Sequence, residues 1–187
     1  MTVAGREIVV GVTGGIAAFK TAALVSKLVQ DGAAVTVVMT DAACRFIGPP
    51  TFEALTGRPV YRTVFDNAEF PLGAHIGLAE KAQLLCVAPA TADFLAKAAH
   101  GMADDLLSTL YLAFGGRVLM VPAMNTQMWA APAVARNVAQ LRTDGVTVVD
   151  PGEGWLSCRT RGSGRMAEPE AIRAAIEAAL GEPMKPR

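Results

Sequence analysis

Six residues, Glu7 to Val12 (EIVVGV), run directly into Thr13-Gly14-Gly15 and from there into a stretch with helical spacing, Ile16 to Gln30. Asp31-Gly32 stops that stretch, and a second β-branched run follows, Ala34 to Met39 (AVTVVM). A strand, a glycine turn, a helix and another strand in that order commit the chain to a parallel pairing, because the helix has to cross over the sheet between the two strands. The same alternation continues. Strands are expected at Leu84 to Ala88, Arg117 to Val121 and Val146 to Val149, and helices at Thr91 to Ala99, Asp104 to Ala113, Pro132 to Thr143 and Glu168 to Leu180. Pro169 falls in the first turn of the last helix, where its missing N–H costs nothing. The expected fold is α/β: a three-layer, open, mostly parallel sheet with helices on both faces, flavodoxin- or Rossmann-like. Residues 1–181 are expected to form one domain, with 182–187 a flexible tail.

That architecture accounts for a composition of 52% hydrophobic residues in a chain of 187, since strands covered on both faces need continuous apolar runs. Apolar surface buried between identical subunits would add to the same excess. The 17 basic and 17 acidic residues cancel, which removes the electrostatic pull toward nucleic acid or an anionic membrane. No apolar run is long enough for a membrane span, and no signal peptide is visible, so a cytoplasmic protein is expected. Three cysteines without a CxxC pair, and two histidines, argue against a disulfide framework or a metal site.

Two segments break the alternation. Phe46 to Ala74 is rich in proline, glycine and aromatics, and Asp150 to Met166 is rich in glycine and arginine. In an open sheet the ligand site lies beyond the carboxyl ends of the strands, so chemistry is sought there. Gly14 and Gly15, with Ile16 and Ala17, open a helix whose free N–H groups suit an anion, although the full GxGxxG fingerprint and the P-loop pattern are both absent. Thr40 either caps a short helix or donates its hydroxyl to a phosphate. A phosphate held by two helix starts suits a mononucleotide. The loop Ala88, Pro89, Ala90, Thr91 again follows a strand, and its small residues permit close approach of a flat ring.

His75 can move a proton or pair with a carboxylate, or else simply cap a helix. His100, beside Gly101, reads as a helix C-cap. Asn125, within PAMNTQMW, carries an amide that can orient a carboxylate. Cys158 lies in a glycine-spaced segment suited to a flap over substrate, residues 150–166, with Arg159, Arg161 and Arg165 near enough to favour a thiolate. Cys44 and Cys86 sit in apolar contexts and read as buried thiols.

The segments GVTGGIAAFK, VVMTDAACRFI, HIGLAEKA, VAPATADFLAKAAHGMADDLLST, PAMNTQMW and GSGRMAEPEAI together resemble the homo-oligomeric flavin-containing cysteine decarboxylases, and among these the phosphopantothenoylcysteine decarboxylases of coenzyme A biosynthesis. The resemblance implies an FMN cofactor. Gly14, Gly15, Ile16 and Ala17 with Thr40 would hold its phosphate end, and Phe46 with Ala88 to Thr91 would line the flavin. It implies catalytic roles for His75, for Asn125 as the holder of the substrate carboxylate, and for Cys158 as the proton donor to an enethiol intermediate. The implied substrate is a small cysteine conjugate, decarboxylated through a thioaldehyde and an enethiol. The implied assembly is a homotrimer, or a dodecamer built of trimers, with flavin sites at subunit boundaries. The flap usually reads Ala-Cys-Gly, whereas this chain has Ser157-Cys158-Arg159. A ligase that makes the cysteine conjugate is expected as a separate partner. The alternatives are a peptidyl-cysteine decarboxylase, a flavin prenyltransferase, an electron carrier and a non-catalytic flavin-binding regulator.

Overall fold

The computed structural model describes residues 3–65 and 69–181. Four strands carry the sheet: β1 (Glu7–Val12), β2 (Ala34–Met39), β3 (Leu84–Ala90) and β4 (Arg117–Pro122), with a short β5 (Thr147–Val148) at one edge. Their order is β2-β1-β3-β4-β5, and every pairing is parallel, with Val10 beside both Val37 and Cys86. Chain order reverses between β1 and β3, which is where a doubly wound sheet opens a crevice for a ligand.

Alternation along each strand divides the core into two. Ile8, Val10 and Val12 of β1, with Cys86 and Leu119, meet α1 (Ala18–Gln30), α2 (Pro49–Thr56) and α8 (Pro169–Gly181) through Leu24, Leu28, Phe52, Ile172 and Ile176. Val9, Leu85, Val87 and Met120 point the other way. They meet α3 (Ala74–Lys81), α4 (Ala92–Ala99), α5 (Leu106–Ala113) and α7 (Pro132–Thr143) through Leu78, Phe94, Leu110 and Leu141. The three-layer arrangement expected from the sequence is therefore present. Among the described residues, no helix is long and apolar enough to cross a membrane.

The differences are local. The first helix begins at Ala18, because Ile16 and Ala17 form a turn instead of joining it. The third strand runs on to Ala90, through a cis Ala88–Pro89 peptide. Within Phe46 to Ala74, Pro49 and Pro50 start α2, and Gly57 ends it at φ 65°. Asp150 to Met166 is largely a two-stranded antiparallel hairpin, β6 (Gly152–Trp155) and β7 (Arg161–Arg165), forming a sheet of its own. A five-residue helix, α6 (Thr126–Ala130), precedes α7. The expected tail, 182–187, lies outside the described residues.

Candidate functional site

The carboxyl ends of β1 and β3 are tied together by one side chain that the sequence did not single out. Thr13 is buried, and its hydroxyl donates to the Pro89 carbonyl at 2.6 Å while accepting the Thr91 N–H at 3.1 Å. Ala88, Pro89 and Ala90 are buried in β3, and the Ala88 carbonyl accepts the Thr21 hydroxyl at 2.7 Å. Of that loop, Thr91 is the residue that reaches a cavity, and its side chain also caps α4 by accepting the Phe94 N–H.

The β1–α1 turn also lies against the turn after β2. A Cβ added at Gly14 would fall 2.4 Å from the Ala42 Cβ, so glycine is what permits the approach. The N–H groups of Gly14, Ile16 and Ala17 have no acceptor among the described residues, and they stand at the positive end of the 13-residue α1. The Thr40 hydroxyl accepts the Ala43 N–H, at 3.2 Å, where the short turn Ala43–Arg45 begins, which leaves its hydroxyl hydrogen free.

Two cavities flank this turn. One, of about 630 Å³, is bordered by Gly14, Thr40 and Thr91. Its lysine, Lys97, pairs with Asp104 at 2.9 Å and Asp93 at 3.3 Å, and those bonds raise the Lys97 pKa and lower that of Asp104. The other, of about 380 Å³, is bordered by Gly15, Ile16 and Ala17 on one side and by Asn125 and the hairpin residues Trp155, Leu156 and Ser157 on the other. Phe46 is 52% exposed and borders neither cavity.

Asn125 is positioned by its own helix start. Its side-chain oxygen accepts the Met128 N–H at 2.8 Å to cap α6, so the amide NH₂ remains available. The hairpin is anchored beside it by Met124 N–H to the Gly164 carbonyl, 3.0 Å, and by the Thr126 hydroxyl to the Ser163 carbonyl, 2.8 Å. Gly164 is needed here. Its φ is 113°, and a Cβ would fall 2.3 Å from the Met124 carbonyl oxygen. Lys20 and Arg165 also border this cavity, and both bind Glu168, at 3.0 and 2.8 Å.

Cys158 stands at the hairpin turn, exposed, with its sulfur 3.1 Å from the Thr160 hydroxyl. Its neighbour Ser157 borders the cavity. Cys86 is fully buried, its thiol pushed up to about 12 by desolvation, and partial burial raises Cys44 as well. His100 caps α4, its Nδ1 2.8 Å from the Ala96 carbonyl. His75 lies in the first turn of α3 and borders neither cavity, and its buried Nδ1 has no hydrogen-bond partner. One chain thus brings Asn125 and the hairpin to a common cavity beside the β1–α1 turn, and keeps His75 apart.

The chain matches the flavoprotein family over residues 2–181. It is 47% identical over 167 residues to the coenzyme A biosynthesis bifunctional protein CoaBC of Bacillus subtilis (strain 168), covering 89% of this chain and 41% of that protein. The chain spans about two fifths of the length of the curated relatives it matches. Among solved structures it resembles the FMN-dependent cysteine decarboxylase SpaF, with a TM-score of 0.84 and 36% identity over 95% of this chain and 97% of that one. It also resembles a PPC decarboxylase mutant complexed with pantothenoylaminoethenethiol, with a TM-score of 0.82 and 27% identity over 92% and 97% of the two chains.

Proposed function

Because the chain belongs to the flavoprotein family, we propose that it is an FMN-dependent decarboxylase that converts 4'-phosphopantothenoylcysteine to 4'-phosphopantetheine in coenzyme A biosynthesis. The observation that carries this reading is the β1–α1 turn. It presents three unengaged N–H groups, and it stands between one cavity bordered by Thr40 and Thr91 and another bordered by Asn125.

The residues present fit FMN. The free amides of Gly14, Ile16 and Ala17, at the start of α1, and the free hydroxyl hydrogen of Thr40 suit a phosphate monoester. Gly14, packed on Ala42, draws the two donor loops together. When bound, FMN supplies a reversible two-electron acceptor, so that carbon dioxide leaves a thioaldehyde able to hold the resulting negative charge, and the cycle is redox-neutral.

The chain's own groups do the rest. Asn125 directs its NH₂ at the substrate carboxylate while its oxygen stays committed to Met128. Cys158, on the hairpin, gives a proton to the enethiol that follows loss of carbon dioxide. His75, through the edge of its imidazole away from the buried Nδ1, takes the substrate's thiol proton. Because His75 borders neither cavity of its own chain, the active form is a homo-oligomer, a trimer or an assembly of trimers. The exposed side chains of Phe65, Leu72, Met102 and Leu112 support burial between copies. A ligase that joins cysteine to phosphopantothenate is the proposed functional partner, in keeping with the bifunctional name of the CoaBC relatives, and the proposed compartment is the cytoplasm.

Mass spectrometry of the purified, FMN-loaded protein with phosphopantothenoylcysteine tests the reading. The expected product is lighter by one carbon dioxide, and Cys158→Ser is expected to stop at a species two hydrogens short of it. An unchanged substrate in the presence of bound FMN would overturn the assignment.

A further inference from the structure

The cations around the Asn125 cavity are not equivalent. Lys20 and Arg165 border it, but both are drawn onto the carboxylate of Glu168. Arg159 and Arg161 lie two and four residues after Ser157, which borders the cavity, and both are exposed, Arg159 at the turn of the β6–β7 hairpin and Arg161 at the start of β7. Neither guanidinium has an ion-pair or hydrogen-bond partner among the described residues. The hairpin from Gly152 to Arg165 contains three arginines and one acidic residue, Glu153, which forms no ion pair with any of them among the described residues.

Arg159 is also held in an unfavourable backbone conformation. Its φ is 63°, and among the described residues it is the one residue other than glycine with a positive φ. Its Cβ crowds the backbone there, a cost that glycine would not incur. The turn does not require arginine. Its bonds run between main-chain groups, Arg159 N–H to the Leu156 carbonyl at 2.9 Å and Leu156 N–H to the Thr160 carbonyl at 2.8 Å, and glycine would form both. Backbone strain kept two residues beyond Ser157, which borders the cavity, on a residue whose guanidinium has no partner, points to a ligand for that charge.

Resting on the reading of this cavity as the decarboxylation site, we propose that Arg159 and Arg161 recognise a phosphate monoester at the far end of the substrate and so set the preference for a phosphorylated cysteine conjugate. With the carboxylate beside Asn125, the remainder of an extended conjugate has to leave the cavity, and the hairpin turn forms part of its border. Guanidinium groups bind phosphate oxygens in pairs, a match that a neutral hydroxyl end cannot make. An unphosphorylated conjugate offers the tip no anion. The position of the pair, exposed and outside the cavity, makes it a determinant of specificity, and its attraction is weakened by salt.

Calorimetric binding of phosphopantothenoylcysteine and of pantothenoylcysteine to the FMN-loaded protein, with turnover followed on the same samples, tests this. The unsubstituted protein is expected to prefer the phosphorylated conjugate by about tenfold or more. The preference should fall toward parity in the Arg159→Gly, Arg161→Gln double variant, persist in Arg159→Lys, and shrink as ionic strength rises. Glycine suits the backbone at 159, so loss of the fold is not an expected complication. A preference unchanged in the double variant, or absent from the unsubstituted protein, overturns the proposal. Retained phosphate preference without turnover instead overturns the decarboxylase reading and leaves the tip assignment standing.

Discussion

The side-chain oxygen of Asn125 accepts the backbone N–H of Met128 at 2.8 Å, so one end of this amide starts α6 and the other remains free to bind. The two duties can be separated by substitution. In Asn125→Asp the cap oxygen is kept, while the free end becomes an anion facing the substrate carboxylate. Thermal stability should change little, and turnover should fall by at least about a hundredfold, because like charges so placed cost several kcal/mol. Asn125→Ala should lose turnover and also about 1 kcal/mol of stability with the cap. Thermal melts beside steady-state rates would check both.

Contact between Gly14 and Ala42 predicts a steric mutant with a specific rescue. Gly14→Ala places a methyl group 2.4 Å from the Ala42 Cβ and pushes the β1 and β2 turns apart. The expected cost is about 1–3 kcal/mol, together with weaker retention of FMN on dialysis, read by flavin absorbance. Adding Ala42→Gly should restore part of the retention. If Gly14→Ala holds flavin as tightly as the unsubstituted chain, the two turns do not form one site.

The Nδ1 of His75 is buried without a partner, an arrangement that opposes stability. His75→Leu removes the orphan atom at similar bulk. Its melting temperature is expected to equal or exceed that of the unsubstituted protein while turnover collapses. A clear loss of stability would instead mark the histidine as structural.

Glu168 makes the hairpin's attachment sensitive to acid. Hydrogen bonding from Lys20, assisted by the charges of Lys20 and Arg165, holds its carboxyl below the ordinary glutamate value of 4.5. A depressed folded value means that the contribution is complete above about 4.5 and is lost as pH falls through the lower folded value. Amide exchange in β6 and β7, corrected for intrinsic rates, should therefore be protected at neutral pH and speed up in acid. Glu168→Gln should exchange faster at neutral pH and lose that acid dependence.

The central sheet was legible because β1 to β4 are continuous apolar runs, and burial on both faces demands just that. Short β5, half-buried at an edge, has little side-chain signal to fix its ends. The eight-residue α2 and α3 were missed among prolines, glycines and aromatics, although Pro49 at a helix start is a readable mark. The hairpin was missed because glycines and arginines carry no strand pattern, and its register is set by main-chain bonds. At the site, Asn125 and the glycine turn announced themselves as local motifs. Thr13 and the Lys20–Glu168 pair did not, since their partners lie 76 and 148 residues away along the chain.

The hairpin shares no ladder with the central sheet. Residues at its tip can therefore be exchanged without shifting a single register in the body of the protein, and selection can act on them separately from selection on folding. The turns after β1, β2 and β3 have no such independence: Gly14 is wedged on Ala42 and Thr13 is bonded to Pro89 and Thr91, so a change in one has to be answered in another, whereas the tip can change alone.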